Sequence, residues 1–144
     1  RLRIFIGFVA FFVAKNHIED VVFTGHIPFS EILAYYSIAD LFLCESMHEG
    51  FCVPLVESMI FSVPVLAYGS SAIPETLGTG GIVHTSNDSR KTAEFMNNLL
   101  TDPQKLKNIK ENQRKELTRF NEERMTTQLL EFIDKRGLPG NGNG

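Results

Sequence analysis

The sequence predicts a doubly wound α/β fold, a parallel sheet with helices on both faces. Two observations carry the prediction. Apolar runs at residues 2–6, 21–24, 41–44, 63–68 and 81–84 alternate with stretches of helical period, and short runs of this kind read as strands buried on both faces. Helix-start chemistry also recurs in the right places, with Pro28 and Ser30, Pro54, and Asp102-Pro103 each following a strand or loop.

Taken in order, residues 2–6 read as a buried strand, Gly7 as its turn and 8–16 as a short helix. The same apolar stretch, flanked by Arg1, Arg3 and Lys15, resembles a signal core or membrane segment. It is well short of the roughly 20 residues a span needs, and no small-residue cleavage site follows Ala14. No integral membrane span is therefore expected. Residues 21–24 form the next strand, ended by Gly25, and Ile32, Leu33, Tyr36 and Ala39 recur at helical spacing after it. That period favours packing in the core or at its rim over base stacking for Tyr35 and Tyr36.

Residues 41–44 read as a buried strand, 45–50 as a polar loop, and Pro54 suits the first turn of a helix reaching about Phe61. After the strand at 63–68, Ser70 or Ser71 is available to cap a short helix near Glu75, and Gly78, Gly80 and Gly81 make a flexible approach to the strand at 81–84. An amphipathic helix over 88–100 follows. Asp102-Pro103 opens another, with Leu106, Ile109, Leu117 and Phe120 on one side. A last helix over 122–135 and a Gly- and Asn-rich flexible tail at 137–144 complete the chain.

The composition narrows the possible functions. With 144 residues and 43% hydrophobic content, residues 1–136 suit one globular domain with its own core. A net charge of −3 without a basic stripe argues against nucleic acid as a partner. Two cysteines, Cys44 and Cys52, do not make a disulfide framework and point to a reducing compartment, the cytoplasm. His17, His26, His48 and His84 form no metal-spaced cluster, and no Asp-x-Asp motif occurs, so no metal or other cofactor is expected.

The chemistry concentrates in the segment from Glu49 to Glu57, which places two carboxylates around a glycine and a proline at the carboxyl end of a predicted strand. In open α/β sheets ligands collect at that end, where helix N-termini offer unpaired N–H groups to anions. Gly50 allows close approach of a phosphate or sugar ring and tolerates a positive φ. An ionised Glu accepts hydrogen bonds from paired hydroxyls, so Glu49 and Glu57 can each hold a sugar ring. A glycosidase-like acid and base pair is the other chemistry open to two carboxylates, but it needs a set separation that sequence spacing does not supply.

The runs Val21-Val22-Phe23-Thr24-Gly25-His26, Ser30 to Tyr36, Ala39 to Leu43, Glu49 to Glu57, Val63 to Ala67 and Ile73-Pro74-Glu75 together resemble the carboxyl-terminal domain of retaining GT-B glycosyltransferases, the large group marked by a Glu-x7-Glu element. The resemblance covers about residues 18 to 135. It implies a Rossmann-like sheet forming a single GT-B half-domain, truncated at its amino-terminal side and separated from the partner domain that carries the acceptor site. It also implies a hexosyltransferase fragment that takes a hexose from a nucleotide diphosphate sugar to a glycan or lipid acceptor in polysaccharide biosynthesis, inactive alone. The full-length enzyme would work in the cytoplasm at the membrane face. By resemblance Glu49 is the catalytic position facing the donor sugar, and backbone amides of Gly50, Phe51, Cys52, Val53 and Leu55 meet the sugar and distal phosphate. Glu57 binds the ribose, and Gly25 and His26 lie where the base is held. Two departures are visible: Cys52 stands where many relatives have glycine, and the Arg and Lys that clamp the diphosphate have no equivalent, since Arg1, Arg3 and Lys15 do not fit the pattern. A non-catalytic binding or interaction module with the same fold is the alternative.

Overall fold

The computed structural model of the chain describes residues 15–121. The strand expected at 2–6, most of the helix at 8–16, the helix at 122–135 and the tail at 137–144 lie outside them. The chain divides between Tyr35 and Tyr36 into two compact units.

In the first unit, residues 21–24 form no strand among the described residues, contrary to the sequence expectation. An apolar run becomes a strand only when a ladder partner takes its backbone groups. Helix α1 (Phe29–Ile38) begins in this unit, where the Pro28 carbonyl accepts the N–H groups of Glu31 and Ile32. Its final residues belong to the second unit.

The second unit runs β1 (Phe42–Cys44), α2 (Val53–Ile60), β2 (Val65–Tyr68), α3 (Ile73–Leu77), β3 (Ile82–His84), α4 (Ser89–Leu100) and α5 (Pro103–Leu117), then a 3-10 turn, Thr118–Phe120. The three strands pair in parallel in the order β1-β2-β3, with Leu43 opposite Leu66 and Leu66 opposite Ile82. In the central strand Val65, Leu66 and Ala67 are fully buried, as parallel strands covered on both faces require. The strands start a residue or two later than their apolar runs. Pro64 has no N–H to give a ladder, and only its carbonyl is used, accepting from Phe42 at 2.8 Å.

The helices form where their local chemistry directs. Asp88 caps α4 through the Arg90 N–H at 2.9 Å, and Asp102 caps α5 through those of Gln104 and Lys105, with Pro103 in the first turn. On α2, Leu55, Ser58 and Met59 are buried at helical spacing while Val53 and Ile60 stay exposed. Leu55 and Met59 join Cys44, Cys52, Val65, Ala67, Ile73 and Leu77 in the core. Buried Gln113 on α5 donates to the Val63 carbonyl at 2.7 Å and anchors that helix to the approach of β2.

The turn between α3 and β3 is tightly packed rather than flexible. A Cβ at Gly80 would meet Met59 Sδ at 2.6 Å, and one at Gly81 would meet the Val65 carbonyl at 2.7 Å. The end of α5 closes over the same turn. Glu116 accepts from the Thr79 N–H and hydroxyl at 2.9 and 2.7 Å and pairs with Arg119, whose guanidinium also donates to the carbonyls of Glu75 and Thr76.

Two outcomes follow from this packing. Gly81→Ala must push its methyl against strand backbone, so its urea midpoint is expected to fall by an amount equivalent to about 1–3 kcal/mol. For Glu116, burial raises the pKa, but the Thr79 hydrogen bonds and the Arg119 charge outweigh it and leave the carboxyl below its ordinary value of 4.5. A depressed folded value stabilises the fold above the unfolded value, and that contribution disappears as pH falls through the folded one. Chemical unfolding in steps below pH 4.5 is therefore expected to show a shallower acid loss in Glu116→Gln than in wild type.

Candidate functional site

Three parallel strands end at the same side of the sheet, and the loops leaving β1 and β2 emerge there together. Each loop satisfies the other's backbone. The Ser70 hydroxyl donates to the Ser46 carbonyl at 2.6 Å, and the Ala72 N–H reaches the Glu49 carbonyl at 3.5 Å. The Thr76 hydroxyl donates to the Phe51 carbonyl at 2.8 Å, and Ser71 Oγ lies 3.3 Å from His48 Nδ1. Glu45, directly after β1, reaches buried His84 at the end of β3, Oε1 to Nε2 2.8 Å. The loop carrying Glu49 is therefore held from several directions. Ser70 is occupied by this task and does not cap α3, whose N-cap is Ala72 without a side-chain bond.

The chain enters α2 through a left-handed residue, and that residue is Cys52, with φ 58 and ψ 66. Gly50 has no positive φ, and a Cβ built on it meets nothing within 4 Å. The conformational demand expected at Gly50 thus falls two residues later. A non-glycine residue in this region costs roughly 1–2 kcal/mol.

The N–H groups of Gly50, Phe51, Cys52 and Val53 donate to no described residue. Leu55 differs: its N–H is committed to the Cys52 carbonyl at 3.0 Å and its side chain is wholly buried. Pro54 has no N–H. Phe51 sets its ring edge-on against Phe120 at 5.6 Å and remains exposed. Glu49 is half-buried, and its carboxylate bonds to no described residue.

Glu57 lies on α2 and is half-buried. Its Oε2 accepts a 3.0 Å hydrogen bond from the Tyr36 hydroxyl. Tyr36 is itself buried, stacked on Phe61 at 5.7 Å and tilted against Phe42 at 6.0 Å. Burial and the adjoining Glu57 carboxylate hold the phenol well above its ordinary pKa, so it remains a donor. One oxygen of Glu57 is thereby fixed and Oε1 is left to accept from elsewhere. Sequence reasoning favoured packing for Tyr36 and gave its hydroxyl no partner. The available signal was that a buried tyrosine needs a partner for its hydroxyl. Gly25, exposed with φ +63, and exposed His26 belong to the first unit.

A family description, Glycosyl transferases group 1, matches residues 12–116. The chain belongs to this family. It is 29% identical over 84 residues to the serotype-specific mannosyltransferase WbdA of Escherichia coli, covering 58% of this chain and 10% of that protein. Among solved structures it is similar to the C-terminal domain of LpcC, a group 1 glycosyl transferase family protein of Francisella tularensis, with a TM-score of 0.65 and 25% identity over 76% of this chain and 58% of that one. It is also similar to Anabaena HepE in complex with UDP-glucose, with a TM-score of 0.74 and 23% identity over 88% of this chain and 36% of that one. The chain thus spans about a tenth of WbdA and about a third of HepE. Its architecture is a Rossmann-like α/β half-domain of the GT-B type.

For this group 1 domain the Tyr36 contact yields an expected outcome. Tyr36→Phe keeps the ring stack and removes the donor to Glu57, so the variant should lose about 1–2 kcal/mol of unfolding free energy by urea denaturation. A variant as stable as wild type would show that the hydroxyl does not hold the carboxylate.

Proposed function

We propose that this domain is the donor-binding half of a retaining hexosyltransferase that uses a nucleotide diphosphate sugar. The observation that carries the reading is the run of four N–H groups, Gly50 to Val53, without partners among the described residues, at the start of α2 and the carboxyl end of β1. Such a run matches the oxygens of a phosphate, and the aligned peptide dipoles of α2 favour negative charge there. As the sugar–phosphate bond breaks, charge builds on the departing phosphate, and N–H groups already in place stabilise it without reorganising.

Glu57, with one oxygen held by Tyr36, would accept from ribose hydroxyls through the other. Glu49, half-buried on a braced loop, would face the transferred sugar as the catalytic position. Gly25 and His26 are assigned to the base by the family resemblance alone. The open space beside Gly50 would belong to the ligand. The proposal includes no metal or further cofactor, a cytoplasmic setting at the membrane face, and an acceptor, glycan or lipid, held by a separate amino-terminal GT-B domain. Residues 1–136 would make up the donor domain.

One observation favours a second reading, a binding module that keeps the fold without the chemistry. No Lys or Arg occurs between residues 16 and 89, so this segment offers a diphosphate only dipoles. Titration calorimetry with uridine, guanosine and adenosine diphosphate sugars separates the two readings. Saturable binding to wild type, lost in Glu57→Ala and weakened at least tenfold in Gly50→Ala at unchanged melting temperature, is expected for a donor site. Flat traces with every nucleotide would leave the binding-module reading. Sugar transfer by the purified chain would sink the claim that it is inactive alone.

A further inference from the structure

Cys44 ends β1 and Cys52 starts α2, and the loop 45–51 between them carries Glu49, Gly50 and Phe51. The fold brings their sulfurs to 4.0 Å, both buried. They are the chain's two cysteines. Nothing in their sequence spacing indicates pairing, and parallel strand packing against α2 produces it.

Buried cysteines often serve only as small apolar fillers. The backbone at Cys52 argues against filling alone, because its φ of 58 suits glycine, and a filler is not needed where the chain must strain to hold a side chain. The thiol sits at that strained position with the Cys44 thiol beside it. We infer that Cys44 and Cys52 form a reversible intramolecular disulfide that clamps both ends of the 45–51 loop.

Closing the pair needs the sulfurs to approach by about 2 Å, to the roughly 2.05 Å of a bond. A hydroperoxide is a sufficient oxidant. One thiolate attacks a peroxide oxygen, forming an S–O bond and breaking O–O, and the released hydroxide takes up a proton as water. The second thiolate attacks the sulfenic sulfur, forming S–S and breaking S–O, and the leaving hydroxide takes the second proton. Two thiols lose two electrons and two protons, and hydrogen peroxide becomes two waters. Burial, then the neighbouring Cys44 and Glu49, push the Cys52 thiol up to about 12. Both groups being buried, reaction requires the loop to open transiently. Cytosolic bridges of this kind are typically transient and redox-sensing.

On the donor-site reading above, the bridge also controls binding. The N–H groups proposed to meet the phosphate lie at the Cys52 end of the loop, and drawing Cys52 toward Cys44 turns them.

The test treats the purified chain with hydrogen peroxide and digests it without reductant using a protease that cleaves after Glu. Trypsin leaves both cysteines on one peptide because no Lys or Arg separates them, whereas cleavage at Glu45 and Glu49 releases Cys44 and Cys52 separately unless they are joined. Joined peptides two hydrogens lighter, separated by dithiothreitol, are expected, and free thiols or singly oxidised sulfinic acids would overturn the inference. Donor titration of the oxidised chain should show at least tenfold weaker binding, restored by dithiothreitol and insensitive to peroxide in Cys44→Ser. Joined peptides with unchanged affinity would remove the control of binding. Joined peptides with no binding in either redox state would refute the donor-site reading and leave the bridge standing.

Discussion

Parallel pairing on both sides of β2 is the constraint from which the arrangement follows. Val65, Leu66 and Ala67 are wholly buried between β1 and β3, so each strand must run the same way and each connection must return through a helix. The carboxyl ends then share one side of the sheet, and the loops leaving β1 and β2 become neighbours. Loop backbone withdrawn from water needs partners. Here the two loops supply them to each other through Ser70, Ala72 and Thr76, while Glu45 ties the first loop to His84 on β3.

That mutual satisfaction is selective. Carbonyls of Ser46, Glu49 and Phe51 are engaged, whereas the N–H groups from Gly50 to Val53 bond to no described residue. The loop is thus braced through its acceptors, while these donors stay free of described partners. Cys52 makes this possible by turning the chain left-handed into α2, and it brings its thiol into the core beside Cys44. The same turn serves helix entry, core packing and the proposed redox clamp.

Glu57 shows how the hydrophobic core reaches the site. Its carboxylate is oriented by Tyr36, whose ring is fixed by Phe61 and Phe42. A packing defect among those rings would therefore act on the carboxylate without touching it. No Lys or Arg occurs from 16 to 89, so this segment presents carboxylates and peptide dipoles without an ammonium or guanidinium group among them.

Much of the fold was legible in local chemistry. Asp88 and Asp102 capped the helices they precede, Pro54 and Pro103 stood in first turns, and three of the apolar runs became strands. These features act over a few residues, so a one-dimensional pattern contains them. Residues 21–24 had the same apolar character and formed no strand among the described residues, since pairing is a property of two segments. Glycines were read less well: the positive φ assigned to Gly50 belongs to Cys52, and the supposedly flexible Gly80 and Gly81 are where Met59 and Val65 press closest. The segment from Glu49 to Glu57 was readable as a candidate site, and the runs around it pointed to the group 1 glycosyl transferase family that the chain belongs to. The Tyr36 hydrogen bond, the bracing of one loop by another and the meeting of Cys44 with Cys52 were decided only by the tertiary structure, because each joins groups whose separation depends on how α2 packs against the sheet.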